Sequence, residues 1–360
     1  MSQVQPASDD ALTRAARALR AGQLVGMPTE TVYGLAANGL DAAAVARIYA
    51  AKDRPSFNPL ILHVATTSLD GLDRDGIIDL SALQPAGRHA AECLVAAAWP
   101  GPLTLVLPRG FAVPDLTCAG LDTVGVRCPA HPVARALIER AGPVAAPSAN
   151  RSGRISPTTA DAVLDELGDR VALVLDGGAC EVGLESTVVH VDVDGVVTLL
   201  RPGFWTADAL SEVVGSPVRR ASDKTPDAPR SPGMTSRHYA PSTPFFALPA
   251  PLADLPDPTV SDLRSRLAGG HAVLLCWDQT AVARAEAQGA LIGDVTAVCI
   301  DPDGALSATA RGLYRFLREL DARGADLLLA EPFPPATLGD HGLAHALRDR
   351  LSRATLPWPT

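Results

Sequence analysis

The run Lys52-Asp53-Arg54-Pro55-Ser56-Phe57-Asn58-Pro59 sets an ammonium two residues before a guanidinium and just ahead of a proline. The chain has 29 arginines and only two lysines, so a lysine here departs from its own usage. Lysine is a mobile point charge, whereas arginine is a planar fork suited to paired phosphate or carboxylate oxygens. Side by side on a rigid loop they can grip a polyanion. A solvated basic loop after a helix accounts for the same residues equally well.

Four more polar clusters sit where strands are expected to end: 28–35 (Pro-Thr-Glu-Thr-Val-Tyr-Gly-Leu), 147–153 (Pro-Ser-Ala-Asn-Arg-Ser-Gly), 183–187 (Gly-Leu-Glu-Ser-Thr) and 200–203 (Leu-Arg-Pro-Gly). Each alone reads as a turn with self-satisfied side chains. Four at strand ends of one α/β sheet fit a binding crevice better. Arg127 emerges from an apolar strand, where an unpaired charge is costly, so it requires an anionic partner. His63, in another apolar strand, reads by itself as a satisfied core histidine. The chain lacks Gly-x-x-x-x-Gly-Lys-Ser/Thr, His-Glu-x-x-His and Gly-x-Ser-x-Gly. A nucleotide site must therefore be of another design, and no nucleophile elbow is present. The remaining histidines show no ligand spacing, and no metal ligand set is assigned.

The elements that must position these groups follow from apolar periodicity. Ser8-Asp9-Asp10 caps a helix through Leu12, Ala15, Ala16 and Leu19, with Gly22 as its stop. Asp41 caps a second helix through Val45, Ile48 and Tyr49, which delivers the chain to Lys52. Strands are expected at 24–27, 60–64, 103–107, 124–128, 144–146, 171–175, 187–191 and 196–200, with helices at 132–141, 158–167 and 206–213. Some antiparallel pairing is expected near 187–200. Residues 216–242 are rich in proline and mixed charge and read as a linker. Beyond them, strands at 243–248, 272–276, 296–299 and 326–329 alternate with helices near 259–268, 305–323 and 341–355. The fold class is α/β: a twisted mixed sheet with helices (8–215), the linker (216–242) and a smaller Rossmann-like α/β domain (243–356). The second domain lacks Gly-x-Gly-x-x-Gly, so dinucleotide binding is not supported.

At 360 residues two domains are the default. The residues are 47% hydrophobic and only 4% aromatic, so the core must be built from Ala, Val and Leu. The net charge of −9 argues against a generic nucleic-acid binder. Residues 1–215 carry 16 Lys+Arg against 24 Asp+Glu, so any anion site there is a local cluster. Six scattered cysteines without a Cys-x-x-Cys pair read as small buried residues of a reducing compartment. A polar N-terminus and the absence of a long apolar run point to a cytoplasmic protein with no membrane association.

The stretches PTETVYGL (28–35), KDRPSFNPLILHV (52–64), WPGPLTLVL (99–107), GLDTVGVRCPAHP (120–132), APSANRSGRISPT (146–158), GLESTVV (183–189), LLRPG (199–203) and PGMTSRHYAP (232–241) closely resemble the threonylcarbamoyl-AMP synthases of the Sua5/YrdC/YwlC group, in the long Sua5 form. The resemblance implies a YrdC-like N-terminal fold. It also implies an enzyme, a nucleotidyltransferase that joins L-threonine, bicarbonate and ATP into threonylcarbamoyl-adenylate and pyrophosphate. That is the first step toward N6-threonylcarbamoyladenosine in tRNA, and a downstream tRNA threonylcarbamoyl transferase consumes the product. Carried over by position, Arg54, Asn58, Thr123, Ser148, Asn150, Ser156, Arg201 and Tyr239 contact ATP. Thr31, His63, Arg127, Ala146 and Ser186 contact threonine. Lys52 and Arg54 are the catalytic pair, with Lys52 assigned to the phosphates, and Mg²⁺ rides on the triphosphate. If Tyr239 reaches the nucleotide, the linker is an active-site lid. The linker departs from its relatives at Thr235-Ser236, where a basic or aromatic pair is common. Two other classes remain open: a double-stranded RNA-binding module, which the acidic first domain disfavours, and a carbamoyl-transfer domain of hydrogenase maturation, whose usual zinc-finger cysteines are absent.

Overall fold

A computed structural model describes residues 4–221, 238–267, 269–301, 305–333 and 342–359. Most of the expected linker, including Thr235-Ser236, lies outside them. The chain divides into two compact units, Met1–Ser152 with Ser156–Thr235, and Gly153–Ile155 with Ser236–Thr360.

The first unit carries strands β1 (Val4–Pro6), β2 (Val25–Met27), β3 (Gly34–Asn38), β4 (Ile61–His63), β5 (Leu103–Pro108), β6 (Thr123–Arg127), β7 (Val144–Ala145), β8 (Leu173–Asp176), β9 (Thr187–Val191), β10 (Val197–Arg201) and β11 (Arg219–Arg220). Its helices are α1 (Asp9–Arg20), α2 (Ala42–Lys52), α3 (Leu69–Arg74), α4 (Pro85–Ala98), α5 (Asp115–Cys118), α6 (Pro132–Ala141), α7 (Ala160–Leu167) and α8 (Ala207–Val214). The strands form one mixed sheet in the order β1-β8-β2-β3-β7-β4-β6-β5-β9-β10-β11. As expected near 187–200, β9 and β10 pair antiparallel.

Alternation along the strands divides the apolar residues between two cores. One face gathers Leu35, Leu62, Leu105, Val126, Ala145 and Val189 against Val45 and Ile48 of α2, Leu94 of α4 and Leu210 of α8. The other gathers Val25, Met27, Ala36, Val144 and Leu173 against Leu12, Ala15 and Leu19 of α1 and Leu137 of α6. The second core reaches from β8 to β7 and stops there. In the ladder Val144 pairs with His63, and His63 with Arg127. Those two polar residues therefore continue the face of the second core, just past the edge of its helical cover.

Beyond the short elements β1, α3, α5 and β11, which were not expected, two longer elements of this unit differ from expectation. Gly34–Asn38 is a strand, although the run 28–35 reads as a turn cluster. Its Gly-Leu-Ala-Ala-Asn residues have little strand preference. The antiparallel ladders to β2 and β7 supply the structure instead. Pro85–Ala98 is a helix with proline at its start, burying Ala90, Ala91, Leu94 and Val95.

The second unit holds β12 (Phe245–Ala247), β13 (His271–Cys276), β14 (Asp294–Cys299), β15 (Leu327–Ala330) and β16 (Leu356–Pro357), with α9 (Asp257–Arg266), α10 (Gln279–Ile292), α11 (Leu306–Asp321) and α12 (Gly342–Ala354). Its sheet is parallel throughout, in the order β14-β13-β15-β12-β16. Strands and helices alternate along the chain, so this unit is α/β as expected. No helix among the described residues is long and apolar enough to cross a membrane.

Gly203 follows β10 and lies against the start of β9. A Cβ built there would stand 2.5 Å from the Thr187 backbone nitrogen. Backbone cannot yield as a flexible side chain does, so Gly203→Ala is expected to destabilise the first unit by about 1–3 kcal/mol. A lowered thermal midpoint in calorimetry checks this; an unchanged midpoint refutes it.

Candidate functional site

Lys52 ends α2. Asp41 starts that helix by accepting from the Ala43 and Ala44 amides. Asp53 then stops it in the left-handed conformation, at φ 53°. The turn sends the Lys52 side chain inward, where it is 1% exposed. Its Nζ donates to the Ser148 carbonyl at 2.5 Å and to the Asn150 carbonyl. The Ser152 amide returns a bond to the Lys52 carbonyl at 2.7 Å. Burial first, and Arg54 second, pull the Lys52 ammonium well below its usual pKa, with Glu166 opposing them. Lys52 thus ties the loop 148–152 to the end of α2.

Arg54 plays a comparable part in its own loop. Its Nε donates to the Asn58 carbonyl at 3.1 Å and Nη2 to the Pro59 carbonyl at 2.9 Å. Tyr49 adds a hydroxyl bond to the Asn58 carbonyl at 3.1 Å. The Asn58 side chain is buried, and its Oδ1 has no hydrogen-bond partner among the described residues.

A second cluster surrounds Arg127 at the end of β6. The guanidinium donates through Nη2 to Glu30 Oε1 at 2.6 Å, through Nη1 to Thr31 Oγ1 at 2.9 Å and through Nε to the Gly101 carbonyl at 3.1 Å. Thr29 shapes the turn below: its hydroxyl donates to the Val32 carbonyl at 2.6 Å and lies 2.9 Å from the Thr31 hydroxyl. Burial pushes the Glu30 carboxyl upward, but Arg127, helped by the Glu30 and Ala130 backbone amides, outweighs it and the net shift is downward. His63, on the neighbouring strand, is 3% exposed, and its Nδ1 lies 3.3 Å from the Ile61 carbonyl. Burial, reinforced by Arg127, drops its pKa to about 3. A neutral imidazole that donates from Nδ1 leaves Nε2 as an acceptor.

A third cluster lies at the start of β9 and the end of β10. Arg201 Nη2 donates to Ser186 Oγ at 3.1 Å and Nε to the Ser186 carbonyl at 3.1 Å. Ser186 Oγ also pairs with Thr104 Oγ1 of β5 at 2.8 Å. Ser156 Oγ donates to Glu185 Oε1 at 2.7 Å. Backbone bonds stitch the clusters together: Tyr33 N to the Pro157 carbonyl at 2.9 Å, Ala149 N to the Tyr33 carbonyl at 2.8 Å and Val182 N to the Glu30 carbonyl at 2.7 Å.

The structure therefore brings Thr31 to Arg127, sets His63 beside Arg127 in the β4–β6 register, joins Ser186 to Arg201 and ties Lys52 to the Ser148–Asn150 loop. Ala146 bonds Ile61 across the ladder, so the Ser148–Asn150 loop and the Arg54–Asn58 loop lie at the end of β4 opposite His63, and Ser156 is held by Glu185. Thr123 stands at the other end of β6, four residues from Arg127, or about 13 Å along a strand, which is the end where the Arg54–Asn58 loop enters β4. Tyr239 belongs to the second unit. There it is 1% exposed, at φ 65°, stacked on Tyr314 at 5.5 Å with the Arg350 guanidinium 5.4 Å from its ring centre. Reasoning from sequence passed over Glu30, Thr29, Thr104 and Glu185. A lone threonine inside the apolar run 103–107, and carboxylates beside Thr31 and Ser186, were the available signals. Among the described residues no group of three or more His, Cys, Asp or Glu side chains is placed to hold a metal ion.

A family model described as telomere recombination, that of Sua5, YciO and YrdC, matches residues 17–203. A second, described as the threonylcarbamoyl-AMP synthase C-terminal domain, matches residues 205–355. A threonylcarbamoyl-AMP synthase of Pyrococcus abyssi is 36% identical over 95% of this chain and 93% of its own length. One from Bacillus subtilis is 38% identical over 96% and 93%. The crystal structure of P. abyssi Sua5 complexed with L-threonine superposes with a TM-score of 0.78 at 35% identity, covering 99% of this chain and 97% of that one.

Two outcomes are expected from this geometry. Lys52→Ala leaves two buried carbonyls without their donor, so melting temperature and catalytic turnover fall together; lost turnover at unchanged melting would show that the ammonium is not a strut. For His63, the unfolded chain takes up a proton near pH 6.5 and the folded chain only near 3. Its contribution to stability is therefore held above pH 6.5 and lost progressively as pH falls toward 3. Imidazole NMR signals of His63 are expected to stay in the neutral form down to pH 4; titration near 6.5 would contradict the burial argument.

Proposed function

The chain belongs to the Sua5/YciO/YrdC family in its long form, with a threonylcarbamoyl-AMP synthase C-terminal domain, and we propose that the strand-end clusters of the first unit are where its reaction takes place. The activity is threonylcarbamoyl-AMP synthesis from L-threonine and ATP, a nucleotidyl transfer that serves tRNA processing. The observation that carries the site assignment is the buried Arg127, braced by Thr31 and Glu30 beside a neutral His63. Threonine sits here, with its carboxylate on the Arg127 fork and its hydroxyl among Thr31, Ser186 and His63, and with Ala146 as a wall. ATP lies along the Ser148–Asn150 and Arg54–Asn58 loops, with Ser156 and Arg201 completing its seat. Thr123 and Tyr239 complete the proposed set of ATP contacts.

The threonine ammonium releases a proton to solvent, and the free amine and bicarbonate form a carbamate with loss of water. A carbamate oxygen then attacks the α-phosphorus, and pyrophosphate leaves. This chemistry asks for positioning and charge neutralisation and needs no covalent nucleophile. Lys52, tied to the Ser148 and Asn150 carbonyls, holds the loop that faces the phosphates. ATP enters as its Mg²⁺ complex, the ion being carried by phosphate oxygens and water. The product is a mixed anhydride that a tRNA-modifying transferase consumes, and the reaction belongs in the cytoplasm.

Pyrophosphate release from ATP by the purified chain tests this reading. Release is expected only when threonine and bicarbonate are both present. Equal release with either one omitted sinks it.

A further inference from the structure

Glu30 is a carboxylate half in use. It is 5% exposed, and Oε1 accepts from Arg127. Oε2 is buried and meets no donor at full hydrogen-bond geometry among the described residues, although the Glu30 and Ala130 amides also favour the charged carboxylate. An ionised carboxylate offers about four acceptor sites, and buried polar atoms are normally met by donors. A purely structural partner for Arg127 would present both oxygens to the guanidinium as a two-bond fork. Here Arg127 gives its second terminal nitrogen to Thr31 instead, and Oε2 takes no bond from the guanidinium.

Arg127 is half in use too. Three of its five N–H groups bond Gly101, Thr31 and Glu30, so one on each terminal nitrogen remains for a ligand. With His63 neutral, the seat holds one positive and one negative charge, each with unused hydrogen-bonding capacity. A ligand carrying both charges and no net charge matches it, whereas a simple anion or cation leaves one of the two unanswered. That is the description of an amino-acid zwitterion.

We propose that Glu30 is a substrate-binding residue that takes the α-ammonium of the amino-acid substrate on Oε2 while Arg127 takes its carboxylate. The proposal rests on the reading of this cluster as the amino-acid seat. It explains how the nitrogen that must become the carbamate is fixed in direction. A hydrogen bond to a charged group holds the ammonium, and it is oriented by a carboxylate that Arg127 in turn anchors.

Calorimetric titration of the full chain tests it with three ligands: L-threonine, 3-hydroxybutyrate, which lacks the amino group, and threoninol, which lacks the carboxylate. The wild-type chain is expected to prefer threonine over 3-hydroxybutyrate by about 10- to 100-fold. Glu30→Gln is expected to remove most of that preference by weakening threonine and threoninol, which carry the amino group, while 3-hydroxybutyrate is little changed, and Glu30→Asp to retain it in part. ATP binding and thermal midpoint, measured on the same preparations, report folding. Weakening of all three ligands by the same factor in both variants would mean that Glu30 only supports Arg127, and overturns the proposal. So does an undiminished threonine preference in Glu30→Gln. Wild-type protein that binds ATP but no threonine overturns the seat itself, a failure distinct from that of Glu30.

Discussion

A guanidinium buried on the face of a sheet is the constraint to which the surrounding structure answers. Removing one ion from water costs several kcal/mol, of order 5, even after a protein relaxes around it. Arg127 meets that cost with a carboxylate, a hydroxyl and a carbonyl drawn from the segments around 30, 31 and 101. A buried pair of this kind contributes little net stability compared with well-packed apolar side chains. Its value lies in position: two separate turns of chain, one at 30–31 and one at 101, are registered to one planar group. The same charge, together with burial, keeps His63 from protonating. One residue thereby sets both the shape and the protonation of its neighbourhood.

Much of the sheet was legible in advance, for a physical reason. Runs such as Leu103–Pro108 and Thr187–Val191 are buried on both faces, and only continuous apolar, partly β-branched sequence satisfies that. The strand Gly34–Asn38 was not legible because it is made of small residues whose conformation is imposed by its neighbours. The helix Pro85–Ala98 was obscured differently, its alanine-rich face giving a weak apolar contrast.

At the site, Arg127 was legible because its apolar strand leaves a charge without a partner. By themselves His63 reads as a satisfied core histidine and Ser186 as part of a turn, and the family resemblance draws them in. Lys52 was conspicuous by composition, but its partners were beyond reach. They are backbone carbonyls 96 and 98 residues along the chain, and no side-chain identity encodes a carbonyl's direction. Glu30 was visible as a carboxylate between two threonines. What could not be read was that only one of its oxygens is engaged, which is a matter of angles within the pair.

The strand order carries a further consequence, for the time at which the site comes into being. Its central strands β7, β4, β6, β5, β9 and β10 are drawn from residues 61 to 201 in an order unlike their order of synthesis. Pairings between segments so far apart form late and slowly, because distant chain ends must first be brought together. On the ribosome, Arg127 emerges with Glu30 and Thr31 already made, and its charge can be answered at once. Ser186 and Arg201 come last, some sixty and seventy residues after Arg127. The nascent chain can therefore close its most expensive charge early, while the last wall of the pocket waits until nearly the whole first unit has been translated.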